Sequence, residues 1–199
     1  MGNFYTKKMN FKLDEVFIKN QELKTDSKVF RIRGYASTFG NIDSYNDIIE
    51  PTAFDETIEA FEKGEKSIKI LYNHEPDLSM GLLTRMGKDE YGLFVEGDIA
   101  TDLVIGAETA IRIKRGIIDE FSIGYYLKDW YSDEVKPEIW HLTNIDLREV
   151  SVVTFAANER ARVTEYESKS TNHESFSNIM KSLEQHERNL KNIKNLLKV

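Results

Sequence analysis

The chain of 199 residues contains no cysteine. That excludes disulfides, a thiol nucleophile, and thiolate-bound zinc or iron–sulfur centres. No apolar run approaches the roughly 18 residues that suggest a membrane-spanning helix, so no membrane partner is expected. The opening stretch, MGNFYTKKMNFKLDEVF, has basic residues but no apolar core, and no secretory signal is expected there. Gly2 and Thr6 fit the short N-myristoylation pattern, but nothing nearby supports anchoring. Positive charge is in deficit: the formal net charge is -7, and Lys and Arg are scattered. Nucleic acid is therefore not an expected partner. The densest basic run, Ile111 to Gly116, falls on an expected helix and reads as a solvated face.

Several catalytic signatures are missing as well. His74–Glu75, His173–Glu174 and His186–Glu187 all lack the second histidine of a zinc-protease helix. No phosphate-binding loop or dinucleotide glycine pattern occurs, and the acidic stretch NIDSYNDIIE lacks the spacing of a calcium loop. Ser122 is not the serine of a GxSxG nucleophile elbow, because Glu120 stands at the first glycine position. No metal or cofactor is expected.

The chain does have a core. Apolar residues make up 40% and charged residues 31%, the profile of a folded domain rather than a disordered one. The length suits one domain plus an appendage. Strands are expected at 11–19 and 28–39. In the second of these, Phe30, Ile32 and Gly34 alternate with Arg31, Arg33 and Tyr35. A helix is expected with Pro51 in its first turn and Phe54, Ile58 and Phe61 at helical spacing. KSIKILYNH reads as a short strand ending at His74, and GLLTRMGKDEYGLFVEGDIA as a hairpin turning near Lys88 to Gly92. A helix over 102–115 precedes a strand around Ser122, and EIWHLTNIDLREVSVVTFAAN supplies two strands broken near Asn144. These elements divide the chain into a domain over 1–165, a polar linker over 166–174 and a helical tail over 175–199. In the tail, Phe176, Ile179, Met180, Leu183, Leu190, Ile193 and Leu197 form one stripe, suited to packing on the domain, self-association or docking.

Hydrolysis without a metal needs a nucleophile, a base to take its proton, and a group to orient the base. His173 and His186 lie in the linker and tail. His141 follows Trp140 on an expected strand. His74 ends an apolar strand where a loop begins, a common place for a catalytic side chain. A neutral imidazole there can accept a serine proton near neutral pH. Glu149, Ser151 and Val153 share one strand face and Val150 and Val152 the other. A carboxylate in such a strand either finds a partner such as His74 or faces water on an edge. From these patterns alone, Ser122 is either an ordinary small side chain or a nucleophile.

Five segments in order narrow the choice: FRIRGYASTFGNIDSYNDIIEPTAF, ILYNHEPDLSMG, YGLFVEGDI, GIIDEFSIGYY and LREVSVVTFAANERARV. Together, over roughly residues 28–165, they resemble the prohead proteases of tailed bacteriophages, a family similar to herpesvirus assemblin. The resemblance implies an α+β, mostly β fold: a partly closed antiparallel β-barrel with surface helices, followed here by the C-terminal helix. It implies a serine endopeptidase with Ser122 as nucleophile and His74 as general base. It gives Glu149 as the residue orienting His74, with His141 as the rival because assemblin uses a second histidine. By analogy with assemblin, backbone amides near Arg160 to Arg162 are candidates for stabilising the oxyanion. The implied substrates are the scaffold protein, the capsid protein precursor and the protease itself, cleaved inside the assembling procapsid in the host cytoplasm. The alternative is a capsid-assembly or scaffold-binding protein on the same fold without catalysis.

Overall fold

The computed structural model of the protein describes residues 28–169. The strand expected at 11–19, most of the linker and the helical tail lie outside these residues. The elements in chain order are β1 (Val29–Thr38), β2 (Asp47–Ile49), α1 (Asp55–Glu62), β3 (Lys69–Tyr72), β4 (Glu75–Lys88), β5 (Gly92–Ala100), α2 (Val104–Lys114), β6 (Glu120–Ser132), β7 (Trp140–Val153) and β8 (Arg162–Lys169). β8 carries the sheet to Lys169, four residues into the segment read as linker, because it stays paired with β1 as far as Val29.

The strands form one eight-stranded sheet in the order β2-β7-β3-β4-β5-β1-β8-β6, and β6 pairs again with β7. The sheet therefore rings back on itself. Most pairs are antiparallel, but β2 and β3 both run parallel to β7. A parallel pair needs a long crossover, and reading neighbouring segments as hairpins does not reveal it.

The alternation in β1 has a physical basis. Phe30 and Ile32 are buried, while Arg31 and Arg33 lie directly opposite Asp98 and Glu96 of β5. Arg31 donates to both carboxylate oxygens of Asp98 at 2.6 and 2.7 Å, and Arg33 donates to Glu96 at 2.5 Å. These cross-strand pairs fix the register between the strands. The burial alternation ends at Tyr35, which is covered by Tyr91 and Phe94 on the face of the two arginines, and the pairing with β5 shifts just after it. The core fills the ring with Ile32, Phe54, Ile70, Leu93, Phe121, Leu147, Val150 and Val152, all 0–1% exposed. Each such side chain contributes about 1.5–3 kcal/mol on burial.

β7 is one continuous strand rather than the two expected. Its pairing with β6 is irregular near Asn144, and the Asn144 side-chain amide donates to Glu56 at 2.9 Å. On its other edge β7 pairs with β2 at one end and β3 at the other. The start of α1 fills the gap between. Ile145 N–H donates to the Ala53 carbonyl at 3.0 Å, and the Thr57 hydroxyl donates to the Ile145 carbonyl at 3.1 Å. Leu147 N–H donates back to the Thr57 hydroxyl at 3.2 Å. Pro51 lies in the turn before α1 rather than in its first helical turn. Phe54 and Phe61 are buried as their spacing implies.

Replacing Thr57 by Val keeps the volume and strands two buried backbone groups of β7. We expect a loss of about 1–3 kcal/mol, read as a lower urea midpoint at unchanged m-value.

Candidate active site

The site starts from one register. β6 and β7 run antiparallel, with Ser122 opposite Ser151 and Gly124 opposite Glu149. Side chains alternate across a strand, so these four positions share a face. Phe121, Val150 and Val152, at the intervening positions, fill the core. β7 is an interior strand here, between β6 and β3, and Glu149 is buried rather than on a solvated edge. Gly124 makes room for it: a Cβ on Gly124 would stand 2.3 Å from Glu149 Oε1.

The imidazole arrives on a tight turn. Tyr72 pairs with Glu75, so Asn73 and His74 alone connect β3 to β4. Both have positive φ, 49° and 60°. Such two-residue hairpins match the twist of their strands, and Asn and His are among the residues that tolerate this conformation best after glycine. β3 runs beside β7 with Leu71 level with Ser151, which delivers the turn to the site. Asn73 N–H donates to the Val152 carbonyl at 3.1 Å, and Thr154 N–H donates to Asn73 Oδ1 at 3.2 Å. His74 N–H donates to Ser151 Oγ at 3.0 Å.

The result is a hydrogen-bonded row. His74 Nε2 lies 2.8 Å from Ser122 Oγ, and His74 Nδ1 lies 2.6 Å from Glu149 Oε1. Ser151 Oγ donates to Glu149 Oε2 at 2.8 Å. A carboxylate only accepts, so Nδ1 carries the ring proton and Nε2 is left to accept from the Ser122 hydroxyl. The hydrogen bond from Glu149 raises the pKa of His74 above the usual imidazole value, and partial burial opposes that rise. The His74 side chain is 44% exposed and that of Glu149 11%, so the base is reachable while its partner is shielded.

His141, the rival third member, is engaged elsewhere. Its Nδ1 lies 2.6 Å from Glu50 Oε1, its Nε2 lies 3.2 Å from Asp133 Oδ2, and its ring stacks on Tyr131. The Glu50 hydrogen bond, opposed by burial and aided by Asp133, raises its pKa. The amides suggested for the oxyanion are also taken in part. Arg160 N–H donates to Asn158 Oδ1 at 3.1 Å and Ala161 N–H to the Asn158 carbonyl at 2.9 Å.

His74 and Ser122 open into a cleft of ≈ 260 Å³ whose walls include Ala36, Tyr45, Ile49, Tyr125 and Phe155. Burial, with Asp47 and Asp43 nearby, pushes the Tyr125 phenol up to about 12, so it stays a donor at neutral pH. Phe155 is 89% exposed and Tyr45 75%, which leaves two aromatic rings free at the rim. Among the described residues, no group of three or more His, Asp or Glu is placed to hold a metal ion. No helix among them is long and apolar enough to cross a membrane.

Sequence reasoning missed Ser151 and Gly124. A glycine inside a strand marks a close approach, and that signal was available at Gly124. Ser151 shares its face with Glu149, but its role depends on the backbone of a distant turn. The geometry makes His74 titrate above ~6.5, the ordinary imidazole value. Gly124→Ala displaces the Glu149 carboxylate and lowers that pKa toward the ordinary value. Titration of the His74 ring resonances by NMR checks both; an unmoved pKa in the variant contradicts the contact.

Comparison with known proteins identifies the family of the chain. A family model described as Caudovirus prohead serine protease matches residues 15–176. The prohead protease of Enterobacteria phage HK97 is 34% identical over 141 residues, which is 69% of this chain and 60% of that protein. The chain thus spans 60% of the length of that curated relative. The bacteriophage T4 capsid assembly protease matches in structure with a TM-score of 0.52 at 12% identity, covering 62% of this chain and 80% of that one. A KSHV protease bound to a hexapeptide phosphonate inhibitor matches at 0.47 and 10% identity, covering 79% and 77%. The likeness in fold rests on the T4 chain. On the extent of the family match and the identity to the HK97 protein, the chain belongs to the Caudovirus prohead serine protease family.

Proposed function

We propose that the chain is a serine endopeptidase that matures phage procapsids. Ser122 is the nucleophile, His74 the general base and Glu149 the group that orients His74. The observation that carries this is the unbroken row Glu149–His74–Ser122, opening on a cleft, in a member of a prohead protease family.

The chemistry follows from the contacts. A peptide carbonyl enters the cleft beside Ser122. Nε2 of His74 accepts the hydroxyl proton as Oγ attacks the carbonyl carbon. The imidazolium that forms is stabilised by the Glu149 carboxylate, which keeps the Nδ1 proton in place. Collapse of the tetrahedral intermediate breaks the peptide C–N bond, and Nε2 returns its proton to the leaving amine. Water then attacks the acyl-enzyme, with His74 accepting its proton and passing it back to Ser122.

The ring of strands is read as a partly closed barrel that serves as the scaffold for this row. Residues up to about 165 form the protease unit, and the remainder serves as linker and tail. The substrates are the scaffold protein, the capsid protein precursor and the chain itself, cut inside the assembling procapsid in the host cell. The tail holds copies of the chain together or to the shell.

Ser122→Ala should abolish self-cleavage on expression and cleavage of capsid precursor, read by gel and mass spectrometry. If the variant still cuts at the native rate, Ser122 is not the nucleophile and the reading fails; if the native chain neither cuts itself nor cuts capsid precursor, a non-catalytic assembly role takes its place. Glu149→Gln should lower kcat by about 10³–10⁴-fold, as loss of the orienting carboxylate does in other triads. His141→Gln should leave kcat on the order of the native value, because the His141 ring is bonded to Glu50 and Asp133 and not to Ser122, His74 or Glu149. The base must be neutral to act, so activity rises as pH climbs through the His74 pKa. Glu149 raises that pKa, so the acid limb of kcat/KM should lie above ~6.5. A limb at or below that value contradicts the assignment.

A further inference from the structure

We propose that Ser151 is a positioning residue of this site; the inference rests on the protease reading. Ser151 sits on β7 directly opposite Ser122 and is 0% exposed. Its hydroxyl oxygen accepts the His74 backbone N–H at 3.0 Å, and its proton goes to Glu149 Oε2 at 2.8 Å. Glu149 Oε1 in turn lies 2.6 Å from His74 Nδ1. The contacts close a loop that begins on the backbone of His74 and ends on its ring.

This loop does two jobs. It turns the carboxylate so that one oxygen faces Ser151 and the other faces the imidazole. It also ties the strained turn, with His74 at φ 60°, to the strand that carries Glu149. A hydroxyl at position 151 thus fixes the base at both ends, through its main chain and through its partner. Chains of such bonds polarise one another, which strengthens the contact at Nδ1. An apolar residue there leaves the His74 amide without this acceptor and lets the carboxylate pivot.

The test uses the full chain and a fluorophosphonate probe, with the labelled peptide identified by mass and the labelling rate measured across pH. In the native chain the rate rises through the His74 pKa to a plateau. Ser151→Ala should lower the plateau by roughly 10- to 100-fold, the scale of a small misplacement of a reacting group. It should also move the acid limb to lower pH, because the weakened Glu149 contact no longer raises the imidazole. Glu149 of β7 bears directly on His74. Asp43, Tyr45 and Tyr125 line the same cleft and Glu75 follows in the chain, and all are the same in every variant. Ser151→Thr keeps the hydroxyl and should keep both plateau and limb; if it does not fold, the limb of the Ala variant decides. Native labelling in Ser151→Ala, or a lower plateau with an unmoved limb, overturns the positioning role. If the native chain fails to label at Ser122, the protease reading falls, and this one with it.

Discussion

The structure depends on the pairing of β6 with β7. Backbone hydrogen bonds put Ser122 level with Ser151 and Gly124 level with Glu149. A shift of one residue would send Ser122 into the core and turn Phe121 out of it, because strand side chains alternate. The hydrophobic effect enforces the register: Phe121, Val150 and Val152 are all at most 1% exposed and would lose that burial. Placement of the reactive groups is therefore secured by apolar side chains on the opposite side of the same strands. Core packing and site geometry are two faces of one constraint.

The burial of Glu149 shows how the site tolerates a cost. A carboxylate out of water is unfavourable unless its oxygens are satisfied. Here one oxygen meets the imidazole and the other the Ser151 hydroxyl. Gly124 supplies the space, since any side chain at that position would collide with the carboxylate. Burial also keeps competing water away from the Nδ1 contact, so the contact that stabilises the folded site is the one that tunes the base.

Much of this was legible in the sequence, for identifiable reasons. The alternation in β1, the β4–β5 hairpin and the apolar spacing around α1 are local signals and appear as read. Ser122, His74 and Glu149 were suggested by ordered segments shared with a family, and the structure brings their side chains together. What escaped was non-local. The parallel partners of β7 lie far apart in the chain, so the strand looked broken where α1 in fact supplies its hydrogen bonds. His74 looked like the end of a strand rather than half of a two-residue turn, because its neighbour is Asn73 followed by no glycine. Ser151 was read only as a companion of Glu149 on a strand face, since its acceptor role depends on a main-chain amide 77 positions earlier.

The turn between β3 and β4 bears on how such a chain can change length. Only Asn73 and His74 bridge the strands, and each of their main-chain amides is held by β7. Adding or deleting one residue there would rotate the imidazole away from both its neighbours while the rest of the sheet stayed intact. The hairpin tips at 89–91 and 133–139 carry no such duty. Insertions and deletions across evolution should gather at those tips and spare this corner, whatever happens to the surrounding residues.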